Sequence, residues 1–241
     1  IGTFYITPDG TKLFTCGSVD YDRKIYMYTL STPYDLSTAT YVKYANLSIG
    51  GTEGRYLVSL YFNSTGNRLY ILGLTDSLIS YIYQFNLSTP FDIPNSGTLS
   101  VINWLGGVGS ARGIYIDPNN SFLFIIGYDE YVRKYNLADP ISGSSQVQTL
   151  LLNITNSLAS YSSIFFKNDG TKMYVSNKFD LFSFSLGTAW DLYSIVPYGL
   201  NENARVINIS EFGDKANSST NQPQSKTNIM ISQDGSKLFY N

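Results

Sequence analysis

The chain has 241 residues, 43% of them hydrophobic, with 16 Lys and Arg against 18 Asp and Glu for a net charge of −2. Charged residues make up only 14%, against about 25% in typical globular chains, and no basic stretch could neutralise a run of phosphates, which argues against a nucleic-acid partner. The absence of histidine excludes Ser-His-Asp and Cys-His nucleophiles and His-rich zinc centres. The single cysteine, Cys16, excludes an internal disulfide framework, and no apolar run reaches the ~18 residues of a transmembrane helix.

The first predicted element is the run TFYIT at 3–7, short and aromatic, which reads as a strand. The turn TPDGTK follows at 7–12, with Pro8 setting φ before the corner and Gly10 free to take φ > 0. A second strand, KLFTCG, places Cys16 in a buried and inert position. A third, KIYMYTL, leads into LSTPYDL at 30–36, where Pro33 ends the strand and the ring of Tyr34 is expected to lie back over the sheet as a plug. TYVKYA at 40–45 supplies a fourth strand.

This order then recurs. First strands are VSLYF, GIYID, SIFFK and NIMIS; second strands are RLYILG, FLFIIG, KMYVS and KLFY. Third strands are YIYQFNL, VRKYNL and LFSFSL, and fourth strands are LSVINWL, VQTLLL and, less regularly, RVINIS. The turn position falls on Gly10, Gly66, Asn120, Gly170 and Gly235, at intervals of 56, 54, 50 and 65 residues. Asn120 replaces glycine because Asn tolerates the left-handed region. The phrase after the third strand returns as LSTPFDI, LADPISG and LGTAWDL. A period of this size marks a repeat architecture, and four antiparallel strands per repeat predict a blade. The expected blades are about 1–55, 56–111, 112–161 and 162–227, with the start of a fifth at 228–241.

Together the two phrases resemble the propeller families with S/T-P-D-G-x-x-L-Y/F-V repeats. These are the YVTN-type repeats of archaeal and bacterial surface proteins and the related WD40-like repeats; the phrase Y-x-L-S-T-P-aromatic-D-L is similar to a longer variant in phage and environmental surface proteins. The resemblance implies an all-β fold, a β-propeller of four-stranded antiparallel blades, in a secreted, cell-surface or virion setting. Because a half blade does not close a ring, the parent chain is expected to continue past Asn241. The alternatives are a four-bladed ring with the last hairpin as an extension or as a strand donor. That hairpin is expected either to meet blade one or to be completed by other chain, with Ile229, Ile231, Leu238 and Tyr240 buried.

Carboxylates recur in the loops between second and third strands: Asp20, Asp22, Asp76, Asp129, Glu130 and Asp180. They lack the glycine-spaced pattern of a calcium loop and read as solvated hairpin tips. Seven N-x-S/T sequons stand at Asn46, Asn63, Asn86, Asn119, Asn153, Asn208 and Asn217, read as following fourth strands or lying in turns and other exposed places. The expectation is a non-enzymatic, glycosylated extracellular structural or interaction module of a surface layer, appendage or virion. It would need no cofactor, and its partners would be other copies of itself, other surface or virion proteins, or glycans. The rival readings are a sugar- or receptor-binding adhesin and a hydrolase or lyase with carboxylates at the propeller mouth.

Overall fold

The computed structural model describes residues 3–16, 23–49, 56–74, 77, 79–95, 98–100, 103–106, 111–138, 141, 145–152, 162–177, 180–195, 205–208, 229–231 and 238–240. Strands β1 (Thr3–Ile6), β2 (Lys12–Cys16), β3 (Lys24–Leu30) and β4 (Ala39–Ser48) form the first antiparallel unit. The second comprises β5 (Tyr56–Phe62), β6 (Arg68–Leu74), β7 (Ser80–Asn86) and, after an intervening β8 (Thr98–Ser100), β9 (Asn103–Gly106). The third is β10 (Ala111–Ile116), β11 (Phe122–Gly127), β12 (Tyr131–Asn136) and β13 (Ser145–Leu151). The fourth is β14 (Ser163–Phe166), β15 (Lys172–Ser176), β16 (Asp180–Ser185) and β17 (Arg205–Asn208), and a two-stranded hairpin of β18 (Ile229–Ile231) and β19 (Leu238–Tyr240) follows. This all-β repeat fits a β-propeller.

One predicted strand divides. LSVINWL was expected to run as a single fourth strand, but β8 pairs in parallel with β4 of the first unit, Asn46 opposite Thr98, while β9 completes the second unit. The physical reason is the ten-residue length of β4. It leaves an outer backbone edge whose unpaired groups are satisfied by another strand.

The first strands of the four long sheets are mostly buried, while the fourth strands β4 and β13 expose Tyr41, Val42, Val147 and Leu151. One core cluster, including Phe14, Ile25 and Leu69, joins the first and second units. A second, around Tyr70, Ile82 and Leu123, joins the second and third, and a third, around Phe124, Phe166 and Met173, joins the third and fourth. The hairpin reaches the fourth unit through Leu238, packed with Leu181 and Tyr174. It also reaches the first through Phe239, which stacks on Tyr34 at 5.9 Å, and through Met230, whose sulfur accepts the Ile6 N–H at 3.2 Å. The hairpin therefore meets the first unit, one of the two outcomes expected of it. Met230 and Phe239 carry this contact; the side chains of Ile229, Ile231 and Tyr240 lie outside the described residues.

The recurring turn has one hydrogen-bond pattern in all four units. Thr7, Asn63, Asp117 and Lys167 each donate an N–H across the turn, to Lys12, Arg68, Phe122 and Lys172. Gly10, Gly66 and Gly170 have φ of 73°, 72° and 72°, and Asn120 has 56°, as the turn chemistry requires. Gly235 lies outside the described residues. The turn is closed by the second phrase. The N–H groups of Tyr34, Phe91 and Trp190 donate to the carbonyls of Gly10, Gly66 and Gly170 at 2.9, 2.8 and 3.0 Å. The three aromatic residues are themselves left-handed, with φ of 63°, 49° and 64°, which is strained for a bulky side chain. Each ring lies so flat on its glycine that an added Cβ would come closer than 3.0 Å to ring carbons.

The third unit shows the dependence. Its turn residue Asn120 carries a Cβ, and the aromatic position is Ile141, whose N–H donates instead to Gln84 of the second unit at 2.8 Å. Glycine and ring are lost together. The aspartate after the ring caps a short 3₁₀ turn, Leu36–Thr38 or Leu192–Ser194, its carboxylate accepting from Ser37 or Tyr193.

The same segment ties each unit to the one before. Lys12 donates to the Phe91 carbonyl at 2.9 Å, Lys43 pairs with Asp92 at 2.6 Å, and Gln148 accepts from Leu192 at 3.1 Å. Gly170→Ala is therefore expected to cost about 2–4 kcal/mol, combining backbone strain with a clash against Trp190. In a Trp190→Ala background the same change should cost only about 1 kcal/mol. Denaturant melts of the four proteins in this cycle measure the coupling; additive costs would deny the contact.

Candidate binding cavity on the axis

The first strand of each complete unit carries an aromatic residue at one register position: Tyr5, Tyr61, Tyr115 and Phe165. Pairing in the ladder and the common turn hold these positions level, so the rings meet in series. Tyr5 meets Tyr61 at 5.4 Å edge-on, Tyr61 meets Tyr115 at 5.2 Å, and Tyr115 meets Phe165 at 5.4 Å edge-on. Edge-to-face geometry is favoured by the ring quadrupoles.

These strands enclose a cavity of about 180 Å³. Thr3, Ser59 and Ser163 contribute hydroxyls two residues before the ring position, and the turn residues Pro8, Ser64, Pro118 and Asn168 border it as well. The volume is close to that of an engineered cavity of ~150 Å³ that takes benzene, and so suits one small ring.

Among the described residues the lining contains no carboxylate, lysine or arginine. Its titratable groups are phenols, and burial pushes Tyr5 and Tyr61 well above the ordinary value of 10.0. Burial also raises Tyr115, while its hydroxyl contact with Tyr61 works in the opposite sense. Near neutral pH all three are hydrogen-bond donors, not bases. Asp117, beside this group, is 1% exposed, but it accepts the N–H groups of Asn119 at 3.0 Å and Ser121 at 2.7 Å. It holds its turn. The site can grip a neutral ring through aromatic faces and direct O–H groups at its oxygens; among the described residues of its lining no side chain is suited to abstract a proton.

The sequence reading did not single out these tyrosines. The available signal was vertical: in TFYIT, SLYFN, GIYID and SIFFK the third letter is Tyr, Tyr, Tyr and Phe.

None of the described sequon asparagines or loop carboxylates lines this cavity. Asn46 does not follow the fourth strand but lies within β4, between Lys24 and Thr98. Asn63 is buried in the turn; its amide nitrogen donates to Thr65 at 2.9 Å and Asn67 at 2.8 Å, and its oxygen accepts the Arg68 N–H. A glycan would need that nitrogen outward. Asn86 ends β7 and Asn119 sits at the turn, both exposed. Asn208 ends β17 with its side chain outside the described residues, where Asn153 and Asn217 also fall.

Of the carboxylates, Asp129 pairs with Arg133, Glu130 has φ of 63°, and Asp180 begins β16. Asp20, Asp22 and Asp76 lie outside the described residues. Among the described residues no three His, Cys, Asp or Glu side chains gather as a metal site. Cys16 is buried, as expected.

No protein-family model matches the chain, and no curated protein matches it by sequence. Solved structures do share its fold. A Lactobacillus plantarum protein superposes with a TM-score of 0.52 at 16% identity, over 80% of this chain and 55% of its own. A Desulfotomaculum acetoxidans protein of unknown function gives 0.53 at 13%, over 99% and 61%. A Bacteroides fragilis protein named as a candidate 6-phosphogluconolactonase gives 0.52 at 14%, over 80% and 52%. The chain thus spans between about half and three-fifths of these neighbours' length.

These neighbours correct the functional expectation. A non-enzymatic extracellular structural or interaction module was expected, yet the fold is shared with proteins named as candidate enzymes. The resemblance of the repeats had reported the fold, and fold does not carry function.

The raised phenols have a consequence for stability. An unfolded chain ionises its tyrosines near 10.0, so stability should be level below that pH and fall above it, as the unfolded state loses protons that the folded state keeps. Tyr5→Phe or Tyr61→Phe should flatten the fall. Denaturant melts between pH 8 and 11, a range set about the phenol reference value, measure this; an unchanged slope in both variants would place these phenols in water.

Proposed function

We propose that the chain is a small-molecule-binding β-propeller whose axial cavity takes one uncharged, oxygen-rich ring, a sugar or an unphosphorylated sugar lactone. In this reading four complete blades and the β18–β19 hairpin stand around the axis as four and a half blades. The observation that carries it is the stack of Tyr5, Tyr61 and Tyr115 beside the hydroxyls of Thr3, Ser59 and Ser163 in one cavity. Aromatic faces cover the apolar face of such a ring, and neutral donors match its oxygens.

The name of the Bacteroides fragilis neighbour specifies a phosphorylated lactone. Among the described residues the lining has no cation to hold a phosphate, so the unphosphorylated ring is the better match. A second reading, lactone hydrolysis, is favoured by the phenols of Tyr61 and Tyr115. Protonated donors directed at a lactone carbonyl would stabilise the oxyanion formed when water attacks.

Calorimetric titration with an aldono-δ-lactone, a monosaccharide and the 6-phosphorylated lactone tests the binding. The neutral rings should bind, the phosphorylated one should bind no better, and Tyr115→Phe should weaken binding about five- to tenfold for one lost hydrogen bond. Acid release in a pH-stat separates hydrolysis from binding. Failure of every neutral ring to bind at millimolar concentration would overturn the reading.

We also propose Asn86 and Asn119 as accessible glycan acceptors, since both are exposed. Secreted from a glycosylating host, the protein should show sugar at these two positions and none at Asn63; peptide mapping that finds Asn63 occupied would contradict the placement of that side chain.

A further inference from the structure

Arg112 is not accounted for by the fold or by the axial cavity. It is 6% exposed. One guanidinium nitrogen, Nη1, donates to the neighbouring Ala111 carbonyl at 3.3 Å, and Nε is buried with no hydrogen-bond partner. The guanidinium lies 3.8 Å from the centre of the Tyr128 ring. The carboxylates in described ion pairs serve other cations: Asp92 pairs with Lys43, Asp129 with Arg133, and Asp169 with Lys167. A buried charge without a counter-charge is strongly unfavourable. An arginine always carries its charge near neutral pH.

The surroundings hold this group in place. Arg112 is the extra residue of a bulge in β10, between the pairs Ala111 with Gly127 and Gly113 with Ile126, and bulges re-aim side chains. The bulge is pinned by the Ala111 N–H, which donates to the Ser80 hydroxyl at 2.9 Å in a buried setting. Tyr128 follows β11 and is exposed, so its ring connects the guanidinium with the surface. With Nη1 occupied, the Nε and Nη2 edge of the fork is the side that matches two oxygens of one anion.

We propose that Arg112 and Tyr128 form a binding site for a small oxyanion, a carboxylate or a phosphate, held by two parallel hydrogen bonds from that edge. Arg112 does not line the axial cavity, so this site and the ring site fail independently.

Thermal melts and calorimetric titration of the full chain test it, using inorganic phosphate and acetate against chloride at matched ionic strength. Phosphate or acetate should raise the melting temperature of the wild-type protein beyond the chloride control, and the anion giving the larger shift identifies the class. R112M should lose that shift while melting, without anion, no lower than wild type, because an apolar side chain of similar length relieves the buried charge. If R112M does not fold, R112K retains the charge without the fork and should bind at least about tenfold more weakly. Neither anion exceeding chloride, or an equal shift in R112M or an undiminished affinity in R112K, would overturn the site.

Discussion

The seating of an aromatic ring on a bare glycine organises this molecule. Gly10, Gly66 and Gly170 have room for Tyr34, Phe91 and Trp190 only because they lack a Cβ. The rings reach them only because their own backbone enters the left-handed region. In these three units the unfavourable backbone conformation of the aromatic residue is thus held by one contact and one hydrogen bond. The contact joins the start of a unit to the connection between its third and fourth strands, and so fixes the sheet's inner edge relative to its outer one. The following aspartate and its neighbours then bond to the preceding unit, which carries a local turn into the packing between sheets.

The tyrosines of the cavity follow from this constraint. A side chain in a strand keeps its face only while register is kept, since a slip of one residue turns it to the other side. Common turn bonds at Thr7, Asn63, Asp117 and Lys167 hold the first strands level. Tyr5, Tyr61, Tyr115 and Phe165 therefore converge, and their convergence removes water from the phenols and raises their proton affinity. The cavity's chemistry is neutral donors and ring faces because the repeat places tyrosine, serine and threonine there.

Much of the fold was legible in the sequence. Glycine and asparagine at a fixed turn position, and strand runs of alternating aromatic and aliphatic residues, specify hairpins through local sterics. The mating of the two phrases was not legible, because it links residues far apart in the chain by a contact that no periodicity records. Only the joint loss of glycine at Asn120 and of the ring at Ile141 pointed to it. The split of LSVINWL was hidden for a similar reason: Thr98–Ser100 pairs with β4 of another unit, a tertiary choice between two edges. The site escaped because tyrosine in a first strand reads as core. The sequons drew attention instead, and Asn63 shows why a motif is not a location: its side chain is consumed by its own turn.

Native-state hydrogen exchange at single-amide resolution tests the seating of ring on glycine most directly. The Tyr34, Phe91 and Trp190 amides are bonded to the turn carbonyls, and if that contact secures each unit they should exchange as slowly as the amides of Tyr5, Tyr61 and Tyr115 in the first strands. Exchange of those three amides orders of magnitude faster than the strand amides would show that the rings lift off while the sheets stay intact, and would contradict the account.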